Sequence, residues 1–257
     1  METKKANILI TGANRGIGRA FAKVVAADQA HLHLVVRKKD SELEAEMMTA
    51  GASSCQLWLA DLSDRKSIEK LIQSTADLKV DILFNNAGLL FDGLLEDQNI
   101  EDIYQMMQVN VNALIQLTHA FLPRMLQRKK GKIVNNSSVV AGMHFPGHST
   151  YAASKAAVLA FTNSLRLEIK GTGVTSLSLI TPAIKTRMFD QIGDGFGKKL
   201  DMPKTAMSPS RYADMIREAI LLDLEVLSPK GMTGFGFQLA KFAPKIFDLE
   251  ISRRFKR

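Results

Sequence analysis

The chain has 257 residues, of which 46% are hydrophobic and 23% are charged, and its formal net charge is +8 at pH 7. These proportions exclude a mostly disordered chain, and no apolar run approaches the ~20 residues that span a bilayer. A single cysteine excludes an internal disulfide, and the strand-like run at Ile8–Ile10 leaves no room for a signal peptide before it, so we expect a soluble, cytoplasmic protein.

Short apolar runs alternate with longer segments of helical periodicity, which is typical of repeated βα units. The predicted strands are Asn7–Thr11, His31–Val36, Cys55–Ala60, Val80–Asn85, Lys132–Asn136 and Val174–Ile180. The predicted helices are Gly16–Ala27, Asp40–Thr49, Asp64–Thr75, Ile100–Gln127 and Tyr151–Ile169. Because no linker, repeat or low-complexity stretch separates these units, we predict one α/β domain over residues 1–257 with a doubly wound parallel sheet.

The single cysteine, Cys55, opens the third predicted strand. No histidine or second cysteine lies near it in the sequence, so its surroundings do not offer the partners that a metal site needs. We interpret Cys55 as buried core filler rather than a reactive thiol, and we predict no metal site.

Two later segments depart from the βα rhythm. Residues 184–210 are rich in glycine, aspartate, lysine and methionine, and such a long irregular segment is typical of a substrate lid. Residues 232–257 interleave apolar and basic residues, which predicts an amphipathic helix that covers an apolar substrate cleft, packs in a dimer or rests on a membrane surface. We expect one of the first two roles. Residues 241–257 hold six basic and two acidic residues, a net +4, which we interpret as a solvated basic end rather than a nucleic-acid site.

A glycine-rich loop, Thr11-Gly12-Ala13-Asn14-Arg15-Gly16-Ile17-Gly18, connects the first strand to the first helix. Glycine is needed where the backbone turns tightly and approaches a pyrophosphate, and the helix N-terminus offers amides and the positive end of its dipole. An ordinary glycine-rich turn is the alternative, but the strand before the loop and the helix after it favour dinucleotide binding. The predicted ligand contacts are Gly12, Asn14, Arg15, Gly16, Ile17 and Gly18.

The end of the second strand indicates which dinucleotide is bound. In dinucleotide-binding folds an acidic residue at this point binds the ribose 2′-hydroxyl and repels a 2′-phosphate. Here the strand is followed by Arg37-Lys38-Lys39. An arginine binds a phosphate bidentately, and Arg15 in the glycine loop is placed to bind the same group from the other side. We therefore predict NADP(H), the alternative being that Arg37 belongs to a solvated turn.

The glycine loop matches all four fixed positions of the Thr-Gly-x-x-x-Gly-x-Gly pattern of the classical short-chain dehydrogenases/reductases. The chain resembles this family from residue 7 to about residue 186. The resemblance implies a Rossmann fold and hydride transfer between a nicotinamide cofactor and a small carbonyl or alcohol substrate. It also implies assembly as a homodimer or homotetramer.

Tyr151 and Lys155 are four residues apart in a segment of strong helix formers, so both project from one face. A free tyrosine has a pKa of ~10, and lowering it to ~8 requires about 2.7 kcal/mol of preferential stabilisation of the phenolate. A lysine ammonium within ~6 Å, helped by a cationic nicotinamide in a site shielded from water, provides an effect of this order. We therefore expect Lys155 to lower the pKa of Tyr151, with the pair acting as the proton-transfer centre.

Two further residues support this centre. Ser138 ends the fifth strand 13 residues before Tyr151, where open α/β sheets place their sites. Its spacing resembles that of the family's catalytic serine, whereas the spacing of Ser137 does not. Asn110 resembles the family's helix asparagine, which by analogy holds a water that links Lys155 to solvent. The alternative for Asn110 is a polar residue with local backbone bonds.

The resemblance also implies contacts with the adenine and the ribose. Asp61, after the third strand, is similar to the family's acid that binds the adenine. A helix cap is the alternative, although Ser63 or Asp64 is better placed for that. The residues that end the fourth strand resemble the motif that braces the nicotinamide-side ribose: Asn86, Ala87 and Gly88.

A last cofactor contact is implied by Pro182-Ala183-Ile184-Lys185-Thr186, which is similar to the family's Pro-Gly-x-x-x-Thr segment. In that segment Thr186 would contact the nicotinamide carboxamide, and Pro182 would lie beside it. Alanine stands at position 183 where the family has glycine. A positive φ at Ala183 would therefore be strained.

Together these features predict an NADP(H)-dependent oxidoreductase that interconverts an alcohol and a lipophilic ketone or aldehyde. Tyr151 would exchange the proton, and Ser138 would orient the oxygen. An NADP-binding regulator without turnover is the alternative, but it has no need of Ser138, Tyr151 and Lys155 together. A sugar-nucleotide epimerase would share the tyrosine and lysine, yet it usually needs a larger C-terminal domain than this chain has.

Overall fold

The computed structural model describes residues 1–189 and 206–255. Within them seven parallel strands form one sheet in the order β3-β2-β1-β4-β5-β6-β7. The strands are β1 (Asn7–Thr11), β2 (His31–Val36), β3 (Ser54–Leu59), β4 (Ile82–Asn85), β5 (Gly131–Asn136), β6 (Val174–Leu179) and β7 (Val226–Leu227). This is the predicted Rossmann architecture, so the predicted fold class is confirmed.

Nine α-helices that lie wholly within the described residues cover the sheet and its carboxyl edge. They are α1 (Gly16–Ala26), α2 (Ser41–Thr49), α3 (Arg65–Ser74), α4 (Ile100–Met107), α5 (Ala113–Arg128), α6 (Ser149–Glu168), α7 (Pro209–Leu221), α8 (Gly231–Phe242) and α9 (Pro244–Arg254). None of the helices described is long and apolar enough to cross a membrane.

Successive strand residues point to opposite faces of the sheet, and each face buries its own core. Ile8 and Ile10 of β1 belong to the core that includes Phe21 of α1 and Ile216 of α7. Leu9, between them, belongs to the opposite core with residues of α3 and α5. Both faces of the sheet are therefore covered, which explains why the strands read as continuous apolar runs.

The predicted helix Ile100–Gln127 is interrupted. Its central residues, Gln108–Asn112, form a π-helical turn between α4 and α5. The predicted amphipathic tail is also two helices rather than one. Pro244 lacks the N–H that would continue the ladder, and Ala243 before it takes the non-helical φ of −137°. The chain therefore bends at this point.

The order of the strands reverses beside β1, because β2 pairs with one edge of β1 and β4 with the other. Such a switch point opens a crevice at the carboxyl ends of the strands. The sheet therefore positions a site at this edge. Cys55, in β3, is buried, and burial raises the pKa of its thiol to about 11, in agreement with its interpretation as core filler.

Candidate active site

A cleft of about 1260 Å³ opens at the carboxyl edge of the sheet. It brings together fifteen of the predicted site residues: Gly12, Asn14, Arg15, Gly16, Ile17, Arg37, Asp61, Asn86, Ala87, Gly88, Ser138, Tyr151, Lys155, Pro182 and Thr186. Gly18 and Asn110, also predicted, lie behind its walls. The predicted lid 184–210 lies largely outside the described residues, although Met188 and Met207 at its ends line the cleft. No cluster of metal-ligating side chains occurs in the part of the chain that the structure describes.

The glycine loop forms one end of the cleft. Gly12 has a φ of +65°, and a Cβ there would lie 2.9 Å from the Cα of Ala87. A Cβ on Gly18 would collide with the carbonyl oxygen of Gly12, so this glycine serves the packing of the loop on its own helix. No side chain caps α1 at Arg15, which leaves the first-turn amides available to a ligand.

A chain of polar side chains fixes the floor of the cleft. The Asn86 side-chain amide donates to the carbonyl oxygen of Thr11 at 3.0 Å. Asn136 in turn donates from Nδ2 to Oδ1 of Asn86 at 3.1 Å, and its own Oδ1 accepts from the Thr181 hydroxyl. These bonds tie together the ends of β1, β4, β5 and β6. Sequence reasoning found Asn86 but missed Asn136 and Thr181, whose roles depend on neighbours distant in the chain.

Tyr151 and Lys155 project from α6 into the cleft beside Ser138. The Lys155 Nζ lies 5.7 Å from the centroid of the Tyr151 ring and donates to the carbonyl oxygen of Asn136 at 2.8 Å. The Ser138 side chain lies close enough to the Tyr151 hydroxyl to favour its phenolate form. Ser137 instead donates to the carbonyl oxygen of Lys155 at 2.8 Å and anchors the helix. The structure thus joins Ser138, and not its neighbour, to the tyrosine.

Burial dominates the electrostatics of this pair. It raises the pKa of Tyr151 to about 12, an effect larger than the opposing hydrogen bond from Ser138. It also lowers the pKa of Lys155 to about 8. Among the protein groups alone, the desolvation of the phenolate therefore outweighs the stabilisation that its neighbours provide. The lowered pKa expected from the sequence also counts a cationic nicotinamide, so it stays a prediction for the site with its cofactor. The tyrosine is a neutral phenol, which is the form that donates a proton.

Asn110 lies in the π turn, a feature common at functional sites. Its Oδ1 accepts from the Leu89 amide at 2.7 Å, and its Nδ2 donates to the Leu89 carbonyl at 2.9 Å and to Ser154 Oγ at 3.0 Å. A Cβ on Gly88 would lie 3.3 Å from Oδ1 of Asn110 and 3.5 Å from Nζ of Lys155. Asn110 therefore clamps the chain after β4 to α6, within reach of the lysine.

Two exposed arginines stand at the glycine-loop end of the cleft. Arg37 follows β2, Arg15 lies in the glycine loop, and neither forms an ion pair of 4.0 Å or less with any residue described. The Asp61 carboxylate accepts from the amide and the hydroxyl of Ser63 at 2.9 and 2.7 Å. These bonds, with a smaller effect from Arg37, lower the pKa of Asp61. Asp64 caps α3, so Asp61 is not its cap.

Thr186 reaches the glycine loop from the opposite wall. A Cβ on Gly16 would lie 3.3 Å from Cγ2 of Thr186, so the two walls are in van der Waals range here. The strain anticipated at Ala183 does not occur, because its φ is not positive. The described non-glycine residues with positive φ are Lys5, Gln29, Lys129 and Asp223.

Comparison with known proteins identifies the family. The sequence model of the short chain dehydrogenases matches residues 6–195. The chain belongs to this family. Over 191 residues it is 35% identical to the 3-oxoacyl-[acyl-carrier-protein] reductase FabG of Haemophilus influenzae, a match that covers 72% of this chain and 77% of that protein.

Two solved structures extend the similarity over nearly the whole short-chain dehydrogenase. One is a short-chain dehydrogenase from Sphingobium yanoikuyae in complex with NADPH, with a TM-score of 0.83, 27% identity and coverage of 96% of both chains. The other is the bulky-bulky ketone specific alcohol dehydrogenase from Comamonas testosteroni, with a TM-score of 0.78 and 25% identity. That match covers 98% of this chain and 93% of the other.

In this short-chain dehydrogenase the tail helices wall the end of the cleft beyond Tyr151. The rings of Phe145 and Phe247 meet edge to face with their centroids 5.9 Å apart. A Cβ on Gly142 would lie 2.9 Å from Cε2 of Phe237, so α8 packs directly on the segment that connects Ser138 to α6. Apolar side chains from both parts face the cleft, among them Met143, Phe145, Phe235, Leu239 and Phe247. The tail therefore forms part of the cleft wall, and its role as a lid over the substrate stays a prediction.

His148 also lines the cleft, although no sequence motif had selected it. It lies three residues before Tyr151 and is buried, and its Nδ1 lies 3.3 Å from the carbonyl oxygen of Pro146. Burial lowers its pKa, so the imidazole is neutral at pH 7. A neutral ring has one donor and one acceptor nitrogen, which makes it a polar contact beside the apolar side chains of this wall.

Lys155→Met is expected to stabilise this enzyme. The pKa of Lys155 in the fold, about 8, lies below its ordinary value of 10.5, so the folded state carries the full cost of the buried ammonium below pH 8. That cost falls as the pH rises from 8 towards 10.5. Allowing for the hydrogen bond lost at Asn136, the variant should gain about 2 kcal/mol at pH 7 and less at pH 9.5.

Urea unfolding at the two pH values measures this gain. Lys185→Met is the matched control, because Lys185 is exposed and does not line the cleft. Its stability should change by less than about 0.5 kcal/mol at either pH. Destabilisation of Lys155→Met at pH 7 would contradict the charged, buried state inferred for this lysine.

Proposed function

We propose that the chain is an NADP(H)-dependent oxidoreductase that interconverts an alcohol and a lipophilic ketone or aldehyde. The observation that carries the proposal is the meeting of Ser138, Tyr151 and Lys155 inside one cleft. This trio lies between the glycine loop and the apolar wall made by Phe145 and the tail. The arrangement provides room for a cofactor on one side of the tyrosine and for an apolar substrate on the other.

The residues at the glycine-loop end fit a dinucleotide phosphate. Gly12 lets the backbone pass close to Ala87, and the uncapped start of α1 faces the cleft. Arg15 and Arg37 would hold the 2′-phosphate, and no acidic residue ends β2 to repel it. The similar Sphingobium yanoikuyae dehydrogenase is a complex with NADPH, which supports the same choice.

Further cofactor contacts follow from the positions of the other predicted residues. Asp61 would bind the adenine, the Asn86–Gly88 segment and Lys155 the nicotinamide-side ribose, and Thr186 the carboxamide. Asn14, Gly16, Ile17 and Pro182 complete the walls of this part of the cleft. When bound, the cofactor supplies or accepts the hydride.

The chain's own residues move and hold the proton. Tyr151, a neutral phenol, donates its proton to the carbonyl oxygen during reduction, while the Ser138 hydroxyl orients the same oxygen. The Lys155 ammonium then stabilises the phenolate, and the carbonyl oxygen of Asn136 holds the ammonium in place. Asn110 would position this group by clamping α6 to the chain after β4. In the oxidative direction Tyr151 must first be deprotonated, so its raised pKa favours oxidation only at alkaline pH.

The apolar wall supports a lipophilic substrate. Met143, Leu239 and Phe247 offer it no charge, and His148 offers one neutral ring. The similar Comamonas testosteroni enzyme is described as specific for ketones that are bulky on both sides, which agrees with a wide apolar cleft. The Haemophilus influenzae relative is a reductase of carrier-bound 3-oxoacyl groups, so acyl thioesters are the second substrate class to test.

We also propose that the enzyme is a cytoplasmic homodimer or homotetramer. Exposed apolar side chains on the outer sides of α4 and α6 support self-association, among them Tyr104 and Leu167, which are 67% and 69% exposed.

Oxidation of NADPH with a panel of carbonyl compounds tests the proposed reaction. We expect kcat/KM for straight-chain methyl ketones and aldehydes to rise about fourfold for each added methylene until the apolar part of the cleft is filled. A thioester panel of the same chain lengths, run in parallel, distinguishes free carbonyl substrates from acyl thioesters. If no compound causes oxidation of NADPH although NADPH binds tightly, the proposal would be overturned in favour of a regulator without turnover.

A further inference from the structure

The tail helices expose an apolar surface that the cleft does not use. Phe242, Ile246 and Leu249 are 76%, 61% and 54% exposed, and none of the three lines the cleft. Ile246 and Leu249 stand three residues apart on one side of α9, and Phe242 ends α8 just before the bend at Ala243. We call Phe242, Ile246 and Leu249 the outer face of the tail.

Basic side chains border the outer face. Lys241, Lys245 and Arg253 are exposed, and none forms an ion pair with another described residue at 4.0 Å or less. The Nζ of Lys241 lies 5.3 Å from the centroid of the Phe242 ring, so a cation and an apolar group are presented side by side. Arg254 is neutralised by Glu250, and Asp248 is the one acidic residue of α9 without such a partner among the described residues.

We propose that the outer face docks on a lipid surface that carries anionic headgroups. Aromatic and aliphatic side chains enter the boundary between headgroups and acyl chains, while neighbouring lysines and arginines attract acidic lipids. The outer face and the three cations that border it present apolar and basic side chains together on one short stretch of chain. A second copy of the same face is a poorer partner, because it would bring the cations of both copies together.

The mouth of the cleft lies on the same side of α8 as Phe242. Met232, Phe235 and Leu239 line the cleft, and with Phe242 they recur at intervals of three, four and three residues, which places all four on one side of the helix. Met232 and Phe235 are also 83% and 63% exposed. A docked protein would thus turn the cleft mouth towards the lipid, so that a lipophilic substrate enters without crossing water. This last step rests on the proposed function.

Co-sedimentation of the full chain with vesicles tests the docking. We expect binding to phosphatidylcholine vesicles that contain about 30% phosphatidylglycerol, and weaker binding to phosphatidylcholine alone. Replacing all of Phe242, Ile246 and Leu249 with serine should lower the partition coefficient at least about tenfold. Replacing Lys241, Lys245 and Arg253 with glutamine should lower it by on the order of 100-fold at 0.1 M salt and much less at 1 M salt.

The matched control replaces three exposed apolar residues elsewhere, Met48, Leu59 and Leu222, with serine, and it should bind vesicles like the wild type. Sedimentation does not depend on turnover, so its outcome is separate from that of the proposed reaction. Three results would overturn the docking: no binding to either vesicle, equal loss in the control, or a change of oligomeric state in the outer-face variant by light scattering. The last result would assign the face to a second copy of the chain.

Discussion

Tyr151→Phe is expected to lower kcat for carbonyl reduction by about a thousandfold. The substitution removes the one hydroxyl that reaches Ser138 from α6, and a positioned proton donor contributes between about 10² and 10⁴ to the rate. The ring remains, so the buried packing of α6 and the affinity for NADPH should change little. Steady-state kinetics together with fluorescence titration of NADPH measure both effects.

Tyr104→Phe is the matched control for this loss. Tyr104 is exposed on α4 and does not line the cleft, so its variant should keep the activity of the wild type. Circular dichroism and the unfolding midpoint should show that both variants are folded. A decrease in kcat of less than about tenfold in Tyr151→Phe would assign the proton transfer to another group, with His148 the nearest titratable candidate in sequence.

Arg37→Asp is expected to reverse the preference between the two nicotinamide cofactors. The hydrogen bonds of an arginine to a phosphate contribute about 1.5–3 kcal/mol to the free energy of binding. An aspartate in its place repels the 2′-phosphate of NADPH and accepts hydrogen bonds from the 2′-hydroxyl of NADH. We expect kcat/KM for NADPH to decrease by about 100-fold and that for NADH to stay equal or increase. The ratio of the two constants, measured with one substrate, reports the change.

Lys39→Asp provides the comparison for Arg37→Asp. Lys39 lies two residues further along the same turn, and unlike Arg37 it does not line the cleft. Lys39→Asp changes the charge by the same amount as Arg37→Asp but at a residue that does not contact the ligand. The ratio of kcat/KM for NADPH to that for NADH should therefore shift by less than about threefold. Equal shifts in the two variants would mean that Arg37 acts only as part of a charged, solvated turn.

The sequence predicted the central strands well, for a physical reason. β1 and β2 are apolar runs bounded by polar residues, and buried parallel strands show this pattern clearly, so their predicted limits match the structure. β7 has two residues, too few to produce any pattern. The π turn at Gln108–Asn112 was not predicted. One extra residue in a single turn barely disturbs the helical periodicity of the apolar residues in the long segment around it.

The candidate site, like the fold, was predicted only in part. Local spacing together with the family resemblance selected Tyr151, Lys155 and Ser138, since two of them share a helix and the third follows a strand at the edge where sites form. The network of Asn136 and Thr181 was not visible, because its bonds join strands that are far apart in sequence. The effect of burial, which raises the pKa of Tyr151, could not be predicted from the sequence because the depth of burial depends on the whole fold.

Phe237 of α8 packs on Gly142, so the tail and the segment after Ser138 form the cleft together. The family model ends at residue 195, so the proton-transfer centre lies within the matched part, whereas α8 and α9 lie beyond it. Those helices nevertheless supply much of the wall opposite the glycine loop. If the proposed function is correct, we therefore expect substitutions in the last 27 residues to change the choice of substrate more than the reaction chemistry.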